Sequence, residues 1–178
     1  MVKPMIEACD ITWLNAYLAL SGCIPPERLP AEALRLGIDR IVDVRAECCD
    51  DAIALRRCGI ELLHLPTPDK QAISPEMLQR GVRWVIGSLR DRRRVLIHCQ
   101  HGVGRSALLA ACTLVALGMD CREALQVLKR RRPTVAPSPE QLQALLDFAA
   151  RSAETPAPGK PATLDDLFQI AYAGLEVG

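Results

Sequence analysis

One stretch of the chain concentrates residues that could do chemistry together: His98-Cys99-Gln100-His101-Gly102-Val103-Gly104-Arg105-Ser106. A cysteine with an arginine six positions on is weak by itself. With 8 cysteines and an arginine-heavy composition, about one such pair arises by chance. Adding the preceding histidine, the glycine and the closing serine lowers that to roughly 10⁻⁴. The chemistry this spacing suits is phosphoryl transfer to sulfur. A glycine-bearing loop between a strand and a helix lets successive backbone N–H groups turn toward one point. The following helix adds the positive end of its dipole. Residues 100–104 then form a cradle for one phosphoryl group, with Cys99 as nucleophile at its base. Arg105 offers a planar fork to two phosphate oxygens, which lysine cannot copy. Ser106 can donate a hydrogen bond to the sulfur as it attacks and again as it leaves. His98 is expected to order the loop, and His101 to sit on its rim.

Displacing an alkoxide or phenoxide from phosphorus requires a proton donor for the leaving oxygen. It belongs on a separate loop that closes over the cradle. Leu65-Pro66-Thr67-Pro68-Asp69 supplies one after an apolar run, making Asp69 the candidate acid. Asp43 is the competitor, but it lies inside a β-branched run rather than on a loop.

These residues need a scaffold, and the pattern of the chain provides it. Strand-like runs at 13–20, 40–44, 60–65 and 95–98 alternate with helical patterns at 30–36, 50–57, 74–89, 105–117, 121–132 and 138–150. Pro66 is expected to stop the third run. Ser74-Pro75 reads as a capping serine followed by proline at the first helical position. The helix from Arg105 is apolar almost all round, hence buried. The fold class implied is α/β: a largely parallel sheet of four to five strands with helices on both faces, and the 98–106 loop between a strand and a buried helix.

The catalytic domain is expected at 1–152, followed by a proline-rich linker at 153–162. Thr163 caps a short amphipathic helix within 163–178, with Leu164, Leu167, Phe168 and Ala171 on one face. That helix is expected to pack on its own domain or to serve as a docking or dimer element.

Composition limits the alternatives. With 22 basic and 21 acidic side chains the formal charge is +1, giving no global field for nucleic acid or an anionic membrane. Six aromatics cannot build a base-stacking platform. No apolar run is long enough for a membrane span, and no secretory leader is recognisable. A cytoplasmic protein with free thiols is therefore expected. No C-x-x-C pair occurs and histidines number 3, so no metal and no cofactor are expected. Cys48-Cys49 invites a redox reading, but nothing in the sequence brings the pair near Cys99.

The signature at 98–106, the aspartate 30 residues before Cys99, the 42–47 and 15–22 segments and Arg131-Arg132-Pro133 resemble the protein-tyrosine-phosphatase superfamily, specifically its small, atypical dual-specificity members. The resemblance spans nearly all of 10–150. It implies a cysteinyl-phosphate mechanism with Cys99, Arg105, Asp69 and Ser106 as catalytic groups and a phosphorylated protein or peptide as substrate. Departures refine the picture. No tyrosine lies between Tyr17 and Tyr172, so a shallow pocket open to phosphotyrosine and phosphoserine/threonine is expected. No lysine lies between Cys99 and Arg105, which disfavours phosphoinositides. A histidine where His101 stands also occurs in RNA 5′-triphosphatase relatives, which lack the usual acid. A non-catalytic phosphate-binding module and a sulfur-transfer enzyme are further alternatives. Two local features carry competing readings. Ser138 with Gln141 three later reads as a capping box rather than a water-orienting glutamine. The basic run 129–132 reads as cations at a helix C-terminus rather than a docking patch.

Overall fold

In the computed structural model, residues 10–152 and 160–175 are described. Most of the expected linker, 153–159, lies outside them, as does the extreme N-terminus on which the leader argument rests. The strands are β1 (Ile11–Trp13), β2 (Leu18–Ser21), β3 (Arg40–Arg45), β4 (Glu61–Thr67) and β5 (Val95–His98). The helices are α1 (Leu29–Leu36), α2 (Ala52–Arg57), α3 (Pro75–Arg90), α4 (Arg105–Ala116), α5 (Cys121–Arg131), α6 (Pro139–Ser152) and α7 (Leu164–Tyr172). The five strands form one sheet in the order β1-β2-β5-β3-β4. β1 is antiparallel to β2, and every other pairing is parallel.

Side-chain alternation sorts the sheet into two faces. Leu18, Leu20, Val42, Val44, Val95 and Ile97 pack into a large cluster with α3 to α7. Ala19, Ile41 and Leu96 point the other way, into a smaller cluster with Leu29 and Ala33 of α1 and Leu55 of α2. Both faces of the central strands are thus covered, which is why they read as continuous apolar runs.

Local chemistry sets several boundaries. Residues 13–20 are not one strand: β1 ends at Trp13, residues 14–17 turn, and β2 starts at Leu18, because Asn15 Oδ1 accepts from the N–H groups of Tyr17 and Leu18 at 2.8 and 2.9 Å. β4 continues through Pro66 to Thr67, beyond the expected stop. It is an edge strand, where a missing N–H is tolerated. α2 starts later than expected: Asp51 caps it by accepting from Ile53 and Ala54, while Asp50 is drawn into a buried cluster. Ser74 caps α3 as expected, with Pro75 leading the first turn.

α7 is capped by Thr163 and packs on α5 and α6. Leu167 and Ala171 are buried in the large cluster, whereas Leu164 and Phe168 remain exposed. The helix docks on its own chain, held by Arg122 to Asp166 at 2.7 Å and by Lys129 Nζ donating to the Ala171 carbonyl at 2.6 Å. Among the described residues no helix is long and apolar enough to cross a membrane.

Candidate active site

Three neighbouring parallel strands, β5, β3 and β4, end at the same edge of the sheet. The segments that follow them deliver Cys99, Glu47 and Asp69. This is the carboxyl edge at which open α/β sheets bind ligands.

The loop from Cys99 to Gly104 is shaped from outside. The Gln100 carbonyl accepts from Cys23 N–H at 2.9 Å. The His101 and Gly102 carbonyls accept from Arg132, Gly102 from Nε at 2.8 Å and His101 from Nη2 at 3.3 Å. The Val103 carbonyl accepts from Ala136 N–H at 2.9 Å. No peptide here is cis. In a planar trans peptide the N–H opposes the preceding C=O. Anchoring four consecutive carbonyls outward therefore turns the N–H groups of His101, Gly102, Val103 and Gly104 inward. Gly102 N–H already donates to Cys99 Sγ at 3.2 Å. Ser106 Oγ lies 3.3 Å from the same sulfur.

Glycine is required at 102 for two reasons. Its φ is +70°, and a Cβ there would meet the backbone of Ser21 and Gly22 at 2.6 Å. At 104 a Cβ would strike Gln141 Oε1 at 2.7 Å. α4 begins immediately after, with no side-chain cap and no acid in its first turn. Its dipole and free N–H groups are thus left for an anion.

Arg105 is the largest fully buried side chain, an unusual place for a guanidinium. Glu47 grips it bidentately, with Nη1–Oε2 at 2.7 Å and Nη2–Oε1 at 2.8 Å. Nη1 also donates to the Thr67 carbonyl at 2.8 Å, and Asp69 Oδ1 is 3.2 Å from Nη2. Among the described residues Nε is buried without a hydrogen-bond partner, a donor left for a phosphoryl oxygen. The hydrogen bonds from Arg105 pull the Glu47 carboxyl down to about 2, and the same bonds raise the arginine. Glu47 falls within the resembling 42–47 segment, but no role in the sequence points to it; its partner stands 58 residues away.

Asp43 and His98 form a different assembly. Arg45 pairs with Asp43 at 2.9 Å and Asp50 at 2.7 Å, and His98 Nε2 donates to Asp50 Oδ2 at 2.6 Å. Burial pushes the Asp43 carboxyl up, but the charge and hydrogen bonds around it, chiefly from Arg45, outweigh burial and the net shift is downward. Both Asp43 oxygens are occupied by Arg45 and by the backbone N–H groups of Arg45 and Asp50. The competitor for the acid role is therefore committed elsewhere. His98 ties the loop's entry to the segment after β3 rather than to the loop itself. Asp43, Asp50 and His98 are close enough to share a metal ion, yet the Arg45 guanidinium already supplies the counter-charge between the two carboxylates.

A cavity of about 240 Å³ opens over Cys99, with Asp69, His101, Val103, Arg105 and Gln141 on its walls. The start of α6 holds the loop that carries Asp69. Ser138 Oγ donates to the Lys70 carbonyl at 2.8 Å, and Gln141 Nε2 donates to the Gln71 carbonyl at 2.9 Å. Ser138 and Gln141 also form the expected capping box. Both ends of the Gln141 amide are thus engaged. Tyr172 of α7 also stands on the wall of this cavity.

Sequence comparison decides the family. The model of the dual specificity phosphatase catalytic domain matches residues 25–151. The chain is a member of that family. The crystal structure of Tk-PTP in its active form is 30% identical and superposes with a TM-score of 0.74, covering 80% of this chain and 97% of that one. Human phosphatidylglycerophosphatase and protein-tyrosine phosphatase 1 is 29% identical over 102 residues, 56% of this chain. The match takes in about half of that relative's length. A kinase associated phosphatase, solved with its catalytic-site cysteine replaced by serine, shares the fold at TM-score 0.74 and 21% identity, covering 85% of this chain and 99% of that one. The five-stranded, mostly parallel sheet flanked by helices is that of these phosphatases.

Proposed function

We propose that this dual specificity phosphatase family member hydrolyses phosphomonoesters of proteins, on tyrosine and on serine or threonine, through a cysteinyl-phosphate intermediate. The observation that carries the reading is the convergence on one sulfur. Cys99 Sγ accepts from Gly102 N–H and lies 3.3 Å from Ser106 Oγ at the base of a loop whose amides turn inward, with Arg105 and Asp69 on the walls of the same cavity.

The chemistry follows in two displacements. Cys99 Sγ attacks phosphorus, an S–P bond forms and the P–O ester bond breaks. Asp69 gives its proton to the leaving oxygen. Water then attacks phosphorus while Asp69 takes a proton from it, the S–P bond breaks and the thiolate is restored. The loop amides and Arg105 hold the non-bridging oxygens throughout. Neither step calls for a metal or a cofactor. A lipid phosphate is a second reading, drawn from the name of the human relative. The absence of lysine between Cys99 and Arg105 weighs against multiply charged headgroups.

Inorganic phosphate released from a phosphopeptide in the presence of a chelator tests the proposal, with phosphoinositide and 5′-phosphorylated RNA as comparison substrates. The expected result is metal-independent turnover of the peptide, abolished in Cys99→Ser, with a phosphorylated Cys99 trapped by rapid acid quench. Turnover of the Cys99→Ser variant within tenfold of wild type overturns it.

A further inference from the structure

Resting on the reading just given, we infer that α7 supplies a substrate-recognition wall, with the Tyr172 ring selecting aryl over short alkyl phosphates. α7 lies beyond residues 25–151 that the family model matches.

Four observations carry the inference. Tyr172 lines the same cavity as Cys99 and Arg105. Its hydroxyl donates to the Pro137 carbonyl at 3.1 Å, between Ala136 and Ser138, which are themselves on the cavity wall. The ring stacks on Phe168 with centroids 4.4 Å apart and planes 21° from parallel. The helix cannot swing away freely, because Lys129 holds the Ala171 carbonyl, Arg122 holds Asp166, and Leu167 and Ala171 are fully buried. The aromatic face is therefore rigid and positioned, not a loose tail.

The consequence is one of reach. A phosphoryl group seated over Cys99 sends its ester oxygen and leaving group toward the mouth of the cavity. The walls around that path include Val103, Ala136 and Tyr172, an apolar surface beside the polar one of Asp69 and Lys70. A phosphotyrosine ring is long and flat enough to pack on that surface. The carbons of phosphoserine or phosphothreonine end sooner, where the peptide backbone begins. Aromatic pairing adds to simple burial, and here it acts on one substrate class only.

The test compares two peptides of identical flanking sequence, one with phosphotyrosine and one with phosphothreonine. The readout is the ratio of their kcat/KM values, variant against wild type, which cancels intrinsic leaving-group reactivity. Tyr172→Ala is expected to lower the tyrosine-to-threonine ratio by about three- to tenfold, chiefly through KM for the phosphotyrosine peptide. Tyr172→Phe, which keeps the ring, is expected to stay within about twofold of wild type. Tyr172→Leu fills the site without a ring and decides the matter if the alanine variant is unstable; it too is expected to lower the ratio. An unmoved ratio in the Ala or Leu variant, or equal loss on both peptides, overturns this inference alone. A wild-type protein inactive on both peptides overturns the protein-phosphatase reading and the inference with it.

Discussion

Glu47 and Asp69 approach the Arg105 guanidinium from different strand ends, and their geometry assigns them different work. Glu47 binds both terminal nitrogens and leaves Nε free. It fixes the plane of the fork that phosphate oxygens will meet. Glu47→Gln keeps the shape of the side chain and removes its charge. A misaimed fork is expected to lower kcat by about 10–100-fold, read in steady-state kinetics. The same pair makes a pH prediction. Glu47 sits at about 2 in the folded protein against an ordinary 4.5. Its contribution to stability is therefore full above about 4.5 and lost as pH falls toward about 2. Denaturant unfolding of wild type and Glu47→Gln should differ above that window and converge at its lower end. Asp69 is 55% exposed and touches Arg105 with one oxygen only, which leaves the other for a leaving group. General-acid help is worth about 10²–10⁴-fold and matters most for poor leaving groups. Asp69→Asn is therefore expected to cripple turnover of phosphoserine and to cost far less on an activated aryl phosphate. Equal losses across leaving groups would assign Asp69 to positioning instead.

At the scale of elements, the loop between β5 and α4 is a turn whose carbonyls from Gln100 to Val103 are each claimed by a neighbouring segment. Gly102 is where its backbone has least room. Gly102→Ala forces a side chain into a left-handed conformation and against the Ser21–Gly22 backbone. It should cost at least about 2 kcal/mol and weaken vanadate binding in parallel. Gly87→Ala is the matched control: it lies exposed within α3 with open space around a Cβ, and should gain up to about 1 kcal/mol. Chemical denaturation of the two variants checks both signs. The elements themselves are legible in the sequence because their signals are local. β-branched and apolar runs mark β3 and β5, Ser74-Pro75 marks the start of α3, and an apolar helix after the signature marks α4. What is not legible depends on distance along the chain. The extension of β4 through Pro66 depends on its being an edge strand, which only the sheet order reveals. Cys99, Arg105 and Ser106 can be read as a unit because they share one loop and one helix turn. The grip of Glu47 on Arg105 spans 58 residues and that of Tyr172 on Pro137 spans 35. Side-chain direction across such gaps is set by packing, which no local pattern encodes.

For the whole molecule, the two faces of the sheet divide the labour. The smaller face carries the closed Asp43, Arg45, Asp50 and His98 assembly, and the carboxyl edge carries the cavity. Arg132 joins this edge to β1 and to Asp10 just before it. It is 4% exposed, and its guanidinium reaches Asp10, Thr12 and two carbonyls of the signature loop at once. By sequence it groups with Lys129, Arg130 and Arg131 as cations at a helix end. Arg130 and Arg131 are both exposed, as that reading requires. Arg132 instead turns inward as α5 ends, and Lys129 reaches to α7. Arg132→Leu should leave the His101 and Gly102 carbonyls without their donor. His101 is exposed, so water can replace its donor, but the buried Gly102 carbonyl left without one costs about 1–3 kcal/mol, and a loss of about that size is expected in thermal or denaturant unfolding. Function should fall further than stability alone explains. Without Arg132 the peptides at 101–103 are free to rotate, and the amides aimed at the phosphoryl group lose their direction. Vanadate affinity and kcat should both drop at temperatures where the variant is still folded. Arg130→Ala and Arg131→Ala should stay within about 0.5 kcal/mol of wild type. If all three substitutions behave alike, the basic run acts as a surface patch and the outward anchoring of the loop carbonyls is not what shapes the cradle.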